Sequence, residues 1–402
     1  VLLQDTLRAI LKDQQPLHPP SPEVSRELMS RIPARSSQAL VLTGVRRCGK
    51  SVLQAQLMRA RLDLPFYCNL EDTRLFEFSA RDFPLFLELL DEMSSRKGAV
   101  FLDEIQEAKG WQRLVRSLLD RGRTVCITGS NASLLGRELG AKLTGRQLTF
   151  EVFPFSYAEY LSYKRMKPGT ESLDAFLTEG GFPAFLRERD SRLLQELLRD
   201  IIQRDISVRH GLRETRHVMN LALFLLANTG QPLSMQRLTK SLAIPTVGQT
   251  SRYLEYLEDA YVLFGLPKFS ASFKQRVIAP QKYYAVDNGF RRANSPQTTP
   301  DAGHRLENAI FLDLRRRGTT AAYAGDKDLW ECDFVTDSEA IQVCLELTPF
   351  NREREQRGVV KAAALPGRKR KAVILTMNQR DQIAVEGTRI DVQPAWEWLM
   401  RA

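Results

Sequence analysis

Residues 44 to 51, Gly44-Val45-Arg46-Arg47-Cys48-Gly49-Lys50-Ser51, constrain this chain more than any other stretch. They follow the apolar run Ala39-Leu40-Val41-Leu42-Thr43 and precede SVLQAQLMRARL, which reads as a helix. A strand, a loop with Gly at its first and sixth positions, then Lys-Ser opening a helix is the phosphate-loop arrangement. The glycines let successive backbone N–H groups curl round a phosphate at a helix N-terminus, where the dipole favours negative charge. Lys50 is expected to reach the β- and γ-phosphates of ATP and Ser51 to place its hydroxyl on Mg²⁺; Val45, Arg46, Arg47, Cys48 and Val52 complete the stretch around the nucleotide. Arg46 and Arg47 bring two extra cations, directed at the γ-phosphate, at a neighbouring subunit or into solvent.

A second strand, Ala99-Val100-Phe101-Leu102, closes on Asp103-Glu104. One acid of such a pair can hold the Mg²⁺ shell while its neighbour polarises the attacking water, so Asp103 is the expected metal residue and Glu104 the expected base. Thr124 to Thr128 is another buried β-branched run and ends in Gly129-Ser130-Asn131. Ser130 and Asn131 are candidates for sensing the γ-phosphate or orienting water, or else cap the helix at SLLGREL.

GVRRCGKS, VFLDEIQ followed by Trp111, ITGSNASLL, LTGR, FEVFPFSYAEYL and GGFP at 180–183 together resemble the AAA+ ATPases. They are most similar to a prokaryotic branch carrying a C-terminal domain of unknown function. The resemblance implies an α/β fold: a P-loop AAA+ parallel sheet with a helical lid and a C-terminal restriction-endonuclease-like domain; the winged-helix module between them is read from the residues themselves. It also implies a homo-oligomeric ring, a hexamer, in which an arginine before the fifth strand reaches the neighbour's site. Arg146 matches that position, with Arg137 second, and Arg187 is the lid candidate. The boundaries that follow are an N-terminal helical segment (1–38), an ATPase core (39–152), a lid (153–210), a winged helix (211–290), a linker (291–300) and a nuclease-like domain (301–402).

The chain has 402 residues, 43% of them hydrophobic, and a formal charge of +10. Between residues 211 and 300 there are 11 Lys and Arg against 5 Asp and Glu. Within that basic segment MQRLTKSLAI, a Pro245-Thr246 turn and VGQTSRYLEYLEDA read as two helices, with Val247, Leu254 and Leu257 apolar, and YVLFGLPKFS and KYYAVD read as a hairpin wing. Thr246, Gln249, Thr250 and Arg252 would then lie near the exposed start of the second helix, and Lys240 and Lys268 beside it, facing duplex or branched DNA. RRANSPQTTP reads as a polar linker. Beyond it, the nuclease pattern that the resemblance implies finds Glu307 on a helix and Asp333 on a strand, but Gln342-Val343-Cys344 where Glu-x-Lys should stand. That loses a ligand and a cation, so the site is expected to be degenerate and non-cutting.

Five cysteines without a C-x-x-C pair and four scattered histidines argue against disulfides and zinc. No apolar stretch approaches the roughly 20 residues of a membrane helix, and no leader is evident, so a cytoplasmic protein is expected. The expected activity is ATP hydrolysis with Mg²⁺ coupled to DNA binding or remodelling. The alternative is a nucleotide-dependent switch or scaffold that binds protein partners.

Overall fold

A computed structural model describes residues 2–15, 24–61, 65–95, 98–129, 145–270, 272, 278–295, 302–326 and 329–401. The chain divides into two compact units, Val1–Phe153 and Pro154–Ala402. The first contains α1 (Gln4–Asp13), β1 (Ala39–Thr43), α2 (Lys50–Arg59), β2 (Phe66–Asn69), α3 (Phe83–Met93), β3 (Val100–Asp103), α4 (Trp111–Asp120), β4 (Val125–Gly129) and β5 (Gln147–Glu151). Its sheet has the order β2-β3-β4-β1-β5, with every neighbouring pair parallel. β1, β3 and β4 are buried along their whole length, as continuous apolar runs in a parallel sheet covered on both faces must be. Leu7, Ile10 and Leu11 of α1, Phe86 and Leu90 of α3, and Trp111, Leu114 and Leu118 of α4 join the sheet in one apolar core.

β2 is an edge strand, and the N-terminal segment completes it. Gln15 accepts from the Tyr67 N–H at 3.1 Å and donates back to the Tyr67 carbonyl; Gln14 accepts from the Asn69 N–H at 2.8 Å and donates to the Asn69 carbonyl at 3.2 Å. Two glutamine amides therefore imitate a neighbouring strand and satisfy an edge that would otherwise offer bare backbone groups.

The second unit opens with helices α5 (Tyr157–Lys164), α6 (Thr170–Glu179), α7 (Pro183–Glu188) and α8 (Arg192–Asp200), the last running into a π-helical stretch, Ile201–Val208. There follow α9 (Arg216–Ala227), β6 (Pro232–Leu233), α10 (Met235–Ser241), α11 (Val247–Asp259), β7 (Leu263–Leu266), β8 (Gln281–Ala285) and α12 (Asn288–Asn294). The three strands form an antiparallel sheet in the order β6-β8-β7. The C-terminal part comprises α13 (Ala302–Arg316), β9 (Ala322–Asp326), β10 (Trp330–Val335), β11 (Glu339–Val343), α14 (Arg352–Ala363), β12 (Lys371–Thr376), β13 (Asp381–Val385), β14 (Thr388–Pro394) and α15 (Ala395–Leu399). Its sheet runs β13-β14-β12-β11-β10-β9, parallel from β11 through β12 to β14 and antiparallel elsewhere.

Two local readings need correction. The stretch from 291 begins inside α12, because the Asp287 carboxylate caps that helix by accepting from the Phe290 N–H at 2.8 Å; residues 296–300 lie outside the described residues. Val247 is 41% exposed at the first position of α11, so the buried face of that helix is instead Thr250, Tyr253, Leu254 and Leu257.

Asp287 also fixes the GGFP turn, accepting from the Gly181 N–H at 2.6 Å. Gly181 has no room for a side chain, since a Cβ would stand 2.3 Å from the Phe155 carbonyl oxygen. Burial pushes the Asp287 carboxyl up to about 6, although these backbone donors oppose it. Over the range from about pH 4 to 6 the folded protein therefore keeps a proton that the unfolded chain, with a carboxyl near ~3.9, has released. The stabilisation from this group is present at low pH and is lost as pH rises through about 6. In urea unfolding, wild type should lose roughly 2–3 kcal/mol relative to Asp287→Asn between pH 4 and 6; parallel profiles would show that Asp287 titrates normally.

Candidate functional site

The loop after β1 turns on two glycines with positive φ. Gly44 (φ 157°) has the Val152 carbonyl oxygen 2.0 Å from where a Cβ would sit, and Gly49 (φ 102°) has an Arg26 Nη1 at 2.9 Å. Between them the chain alternates inward and outward. Val45 and Cys48 are fully buried, and the Cys48 thiol donates to the Val152 carbonyl at 3.2 Å. Burial, opposed by Lys50 and Arg26, raises the Cys48 pKa above its ordinary value. Arg46 lies 3.8 Å from Glu71, and Arg47 is exposed in the left-handed region at φ 64°. Of the nucleotide-binding stretch, Val45 and Cys48 thus contribute backbone, and their side chains anchor the loop.

Lys50 opens α2 and bends back, its ammonium donating to the carbonyls of Gly44 and Val45, both at 3.1 Å. Ser51 and Val52 are exposed in the first turn of the same helix. Arg26, from the N-terminal segment, is buried and braces the loop from behind, donating to the Cys48 carbonyl at 3.0 Å and to the Phe153 carbonyl at 2.5 Å. Sequence reasoning passed over Arg26 because its partners are backbone carbonyls distant along the chain.

Asp103 ends β3, and its carboxylate is doubly held: the Tyr67 phenol donates to one oxygen at 3.1 Å and the Thr128 hydroxyl to the other. Burial, with the Asp103 charge adding to it, raises the Tyr67 pKa and keeps that phenol protonated as a donor. At Glu104 the backbone swings into the left-handed region, φ 49°, and its N–H donates to the Thr128 oxygen at 2.9 Å. The Glu104 carboxylate then accepts from the Gln106 amide at 2.5 Å. One hydroxyl on β4 thus orients both acids. Thr128 is the site residue that sequence reasoning missed; the available signal was its hydroxyl at the C-terminal end of the buried run Thr124 to Thr128, level with the acid pair. Ser130, Asn131 and Arg137 lie outside the described residues.

These donors fit a nucleoside triphosphate with a divalent cation: a glycine-shaped loop, a lysine at a helix start, an exposed serine hydroxyl one residue on, and a carboxylate pair at a nearby strand end. Arg146, just before β5, is half-exposed and donates to Asp120 at 2.7 Å. Arg187 is exposed and bonds its neighbour Glu188.

In the second unit, Lys240 and Arg252 are exposed and form no ion pair among the described residues. Lys268 is half-buried, its backbone paired with Tyr323. Thr246 caps α11 by accepting from the Gln249 N–H at 3.1 Å, and the Gln249 amide donates to the Tyr253 phenol. Thr250 does not face outward: it is fully buried and shares a 2.8 Å hydrogen bond with Thr239.

The structure brings Glu307 of α13 and Asp333 of β10 together around Lys282 of β8, whose ammonium is 3.1 Å from the first and 3.3 Å from the second. Gln342 turns instead to Glu355, donating at 2.7 Å, and Cys344 is buried past the end of β11. Strand β8 of the hairpin is therefore not free, because Lys282 and Tyr284 are buried against α13; residues 271 and 273–277, between β7 and β8, lie outside the described residues. Lys282 was legible only as the lone charge in the strand QKYYA.

Thr128→Val keeps shape while removing one donor to Asp103 and one acceptor for the Glu104 N–H. It should cost about 1–3 kcal/mol in urea unfolding, with Thr128→Ser near wild type. A neutral valine variant would show that water, not Thr128, carries these bonds.

Comparison with known proteins places these parts in a family. An AAA domain matches residues 36–161, and a domain of unknown function (DUF8612) matches 170–301. An uncharacterized protein of Methanocaldococcus jannaschii, MJ1544, is 31% identical over 391 residues, covering 89% of this chain and 87% of its own. An uncharacterized protein of Haemophilus influenzae is 30% identical, covering 90% and 94%. Among solved structures, the Aeropyrum pernix ORC1 protein in complex with DNA is similar at 14% identity and a TM-score of 0.31, over 71% of this chain and 95% of that one. The Thermotoga maritima RuvB Holliday junction branch migration motor is similar at 15% and 0.27, over 66% and 88%. With both curated relatives aligned across most of its length, the chain belongs to their family, in which an AAA-type ATPase domain is followed by a domain of unknown function.

Proposed function

We propose that the protein hydrolyses ATP and couples that cycle to binding or remodelling DNA. The observation that carries the ATPase half is the double use of the Thr128 hydroxyl, which sets Asp103 and Glu104 in different directions from one strand end. Lys50 would hold the β- and γ-phosphates, Ser51 and Asp103 would hold Mg²⁺, and Glu104 would take the proton of the attacking water. Bound Mg²⁺ would neutralise charge on the phosphate oxygens. Gln106 now occupies Glu104, so the base is released when that amide turns away. Arg146, at the edge strand of the sheet, is assigned to the neighbouring subunit's nucleotide in a ring, where its guanidinium would replace the Asp120 partner with a phosphate.

The DNA half is supported by the order α9-β6-α10-α11-β7-β8 with a β6-β8-β7 sheet, the succession of elements in a winged helix. Lys240 and Arg252 supply exposed cations on its two central helices. Helices α5 to α8 belong to the same compact unit, so a nucleotide-driven shift of that segment would carry the whole unit with it. One observation favours the second reading, a switch or scaffold for protein partners: among the described residues, Lys282 and Tyr284 of the hairpin are used up inside the unit.

The deciding measurement is ATPase rate with and without single-stranded, duplex and branched DNA; no stimulation by any of them favours the scaffold. Lys50→Ala should weaken nucleotide binding at least about tenfold, because a charge-assisted contact is lost. Glu104→Gln should bind within a few-fold of wild type but turn over about 10²–10⁴-fold more slowly. Equal loss of binding in a fluorescent-nucleotide titration would undo the separation of roles. Lys240→Ala with Arg252→Ala should weaken binding across unrelated duplexes and flatten the slope of log affinity against log salt by about two. An unchanged slope in fluorescence anisotropy would place the DNA contact elsewhere.

A further inference from the structure

Lys282 of β8 meets three acids, Glu307 of α13 and Glu331 and Asp333 of β10. The Lys282 ammonium lies 2.7 Å from Glu331, 3.1 Å from Glu307 and 3.3 Å from Asp333, and it exposes only 1% of its surface. Of the ammonium's three N–H donors, hydrogen bonds go to Glu307 and Asp333, and Glu331 completes the set as a close ion pair. The outer lone pairs are also engaged: the Tyr284 phenol donates to the same Glu307 oxygen at 2.6 Å, and the Val343 N–H donates to the second Asp333 oxygen at 2.9 Å. Gly230 closes the far side, where a Cβ would stand 3.1 Å from the Glu307 carboxylate.

A restriction-endonuclease-like domain would hold a divalent cation on Glu307 and Asp333, and the residues present do not fit one. Mg²⁺ demands oxygens at about 2.0–2.1 Å, whereas these stand at ammonium distances. Gln342 has turned its amide to Glu355, and Cys344 is buried. Among the described residues no group of three or more His, Cys, Asp or Glu is arranged to hold a metal ion.

We propose that the Lys282 ammonium permanently takes the place of a divalent cation on Glu307, Glu331 and Asp333, making this site a metal-free ionic joint between the hairpin and the C-terminal sheet. The geometry carries the assignment: the buried ammonium sits among the three acids at 2.7, 3.1 and 3.3 Å. The proposal deepens the non-cutting reading of this domain and is independent of ATP hydrolysis and DNA binding, both of which can be measured separately.

The test counts Mn²⁺ bound to nucleotide-free full-length protein by electron paramagnetic resonance. Wild type and Asp333→Asn should bind equally. Lys282→Ala should gain an additional Mn²⁺ that Lys282→Ala/Asp333→Asn lacks, because removing the built-in cation leaves its carboxylates for another. Mn²⁺ binding by wild type that Asp333→Asn abolishes would overturn the proposal, and so would a folded Lys282→Ala with no gain. If Lys282→Ala does not fold, the comparison of wild type with Asp333→Asn and Glu307→Gln decides: equal binding upholds the joint, and lost binding refutes it.

Discussion

Two acids at one strand end can divide labour only if their carboxylates point apart, and the backbone at Glu104 enforces this. Consecutive residues of a continuing strand would face opposite sides of the sheet, leaving one buried against a helix. The left-handed turn at Glu104, φ 49°, ends β3 at once and throws the second carboxylate off the sheet. A non-glycine residue there costs about 1–2 kcal/mol, and the Thr128 oxygen, which takes the Glu104 N–H, offsets it. The same oxygen donates to Asp103, so the strain and the metal-side carboxylate are held by one atom on the adjacent strand. That bond exists only because β4 lies between β3 and β1, which is the strand order the sheet adopts.

What was legible in the sequence was local. The phosphate loop, the acid pair, the buried strands and the helix after each loop announce themselves within about ten residues, because glycine freedom, apolar runs and helical spacing are short-range signals. What was not legible depends on register. Thr128 gains its role from which strand lies beside it; Gln14 and Gln15 act as a substitute strand because β2 is an edge; Thr250 faces inward because Thr239 on α10 meets it. Gln342 and Cys344 were read as a site missing its ligand and its cation. The cation is present after all, supplied by β8 from far along the chain.

That substitution makes energetic sense only as a set. A buried charge is tolerated when paired and fully hydrogen-bonded, and removing one partner of such a pair typically costs about 3–5 kcal/mol. Replacing every member with apolar groups of similar volume is often neutral, so stability by itself does not explain the cluster. What charges provide, and apolar packing does not, is register: Lys282 fits only where three acids converge, and this fixes how the hairpin lies on α13 and β10. Stacking of Tyr284 on Phe311, with centroids 4.2 Å apart, supplies the apolar contact alongside it.

The same burial changes what the basic segment means. The excess between residues 211 and 300 suggested a surface potential, yet Lys282 spends its charge on three internal acids, and buried Arg291 donates to the Leu226 carbonyl at 3.0 Å. Neither can attract a polyanion, because a long-range field is made by charges that solvent and partners meet. Removing them from the count shrinks the excess, and of the cations on α10 and α11 Lys240 and Arg252 remain exposed.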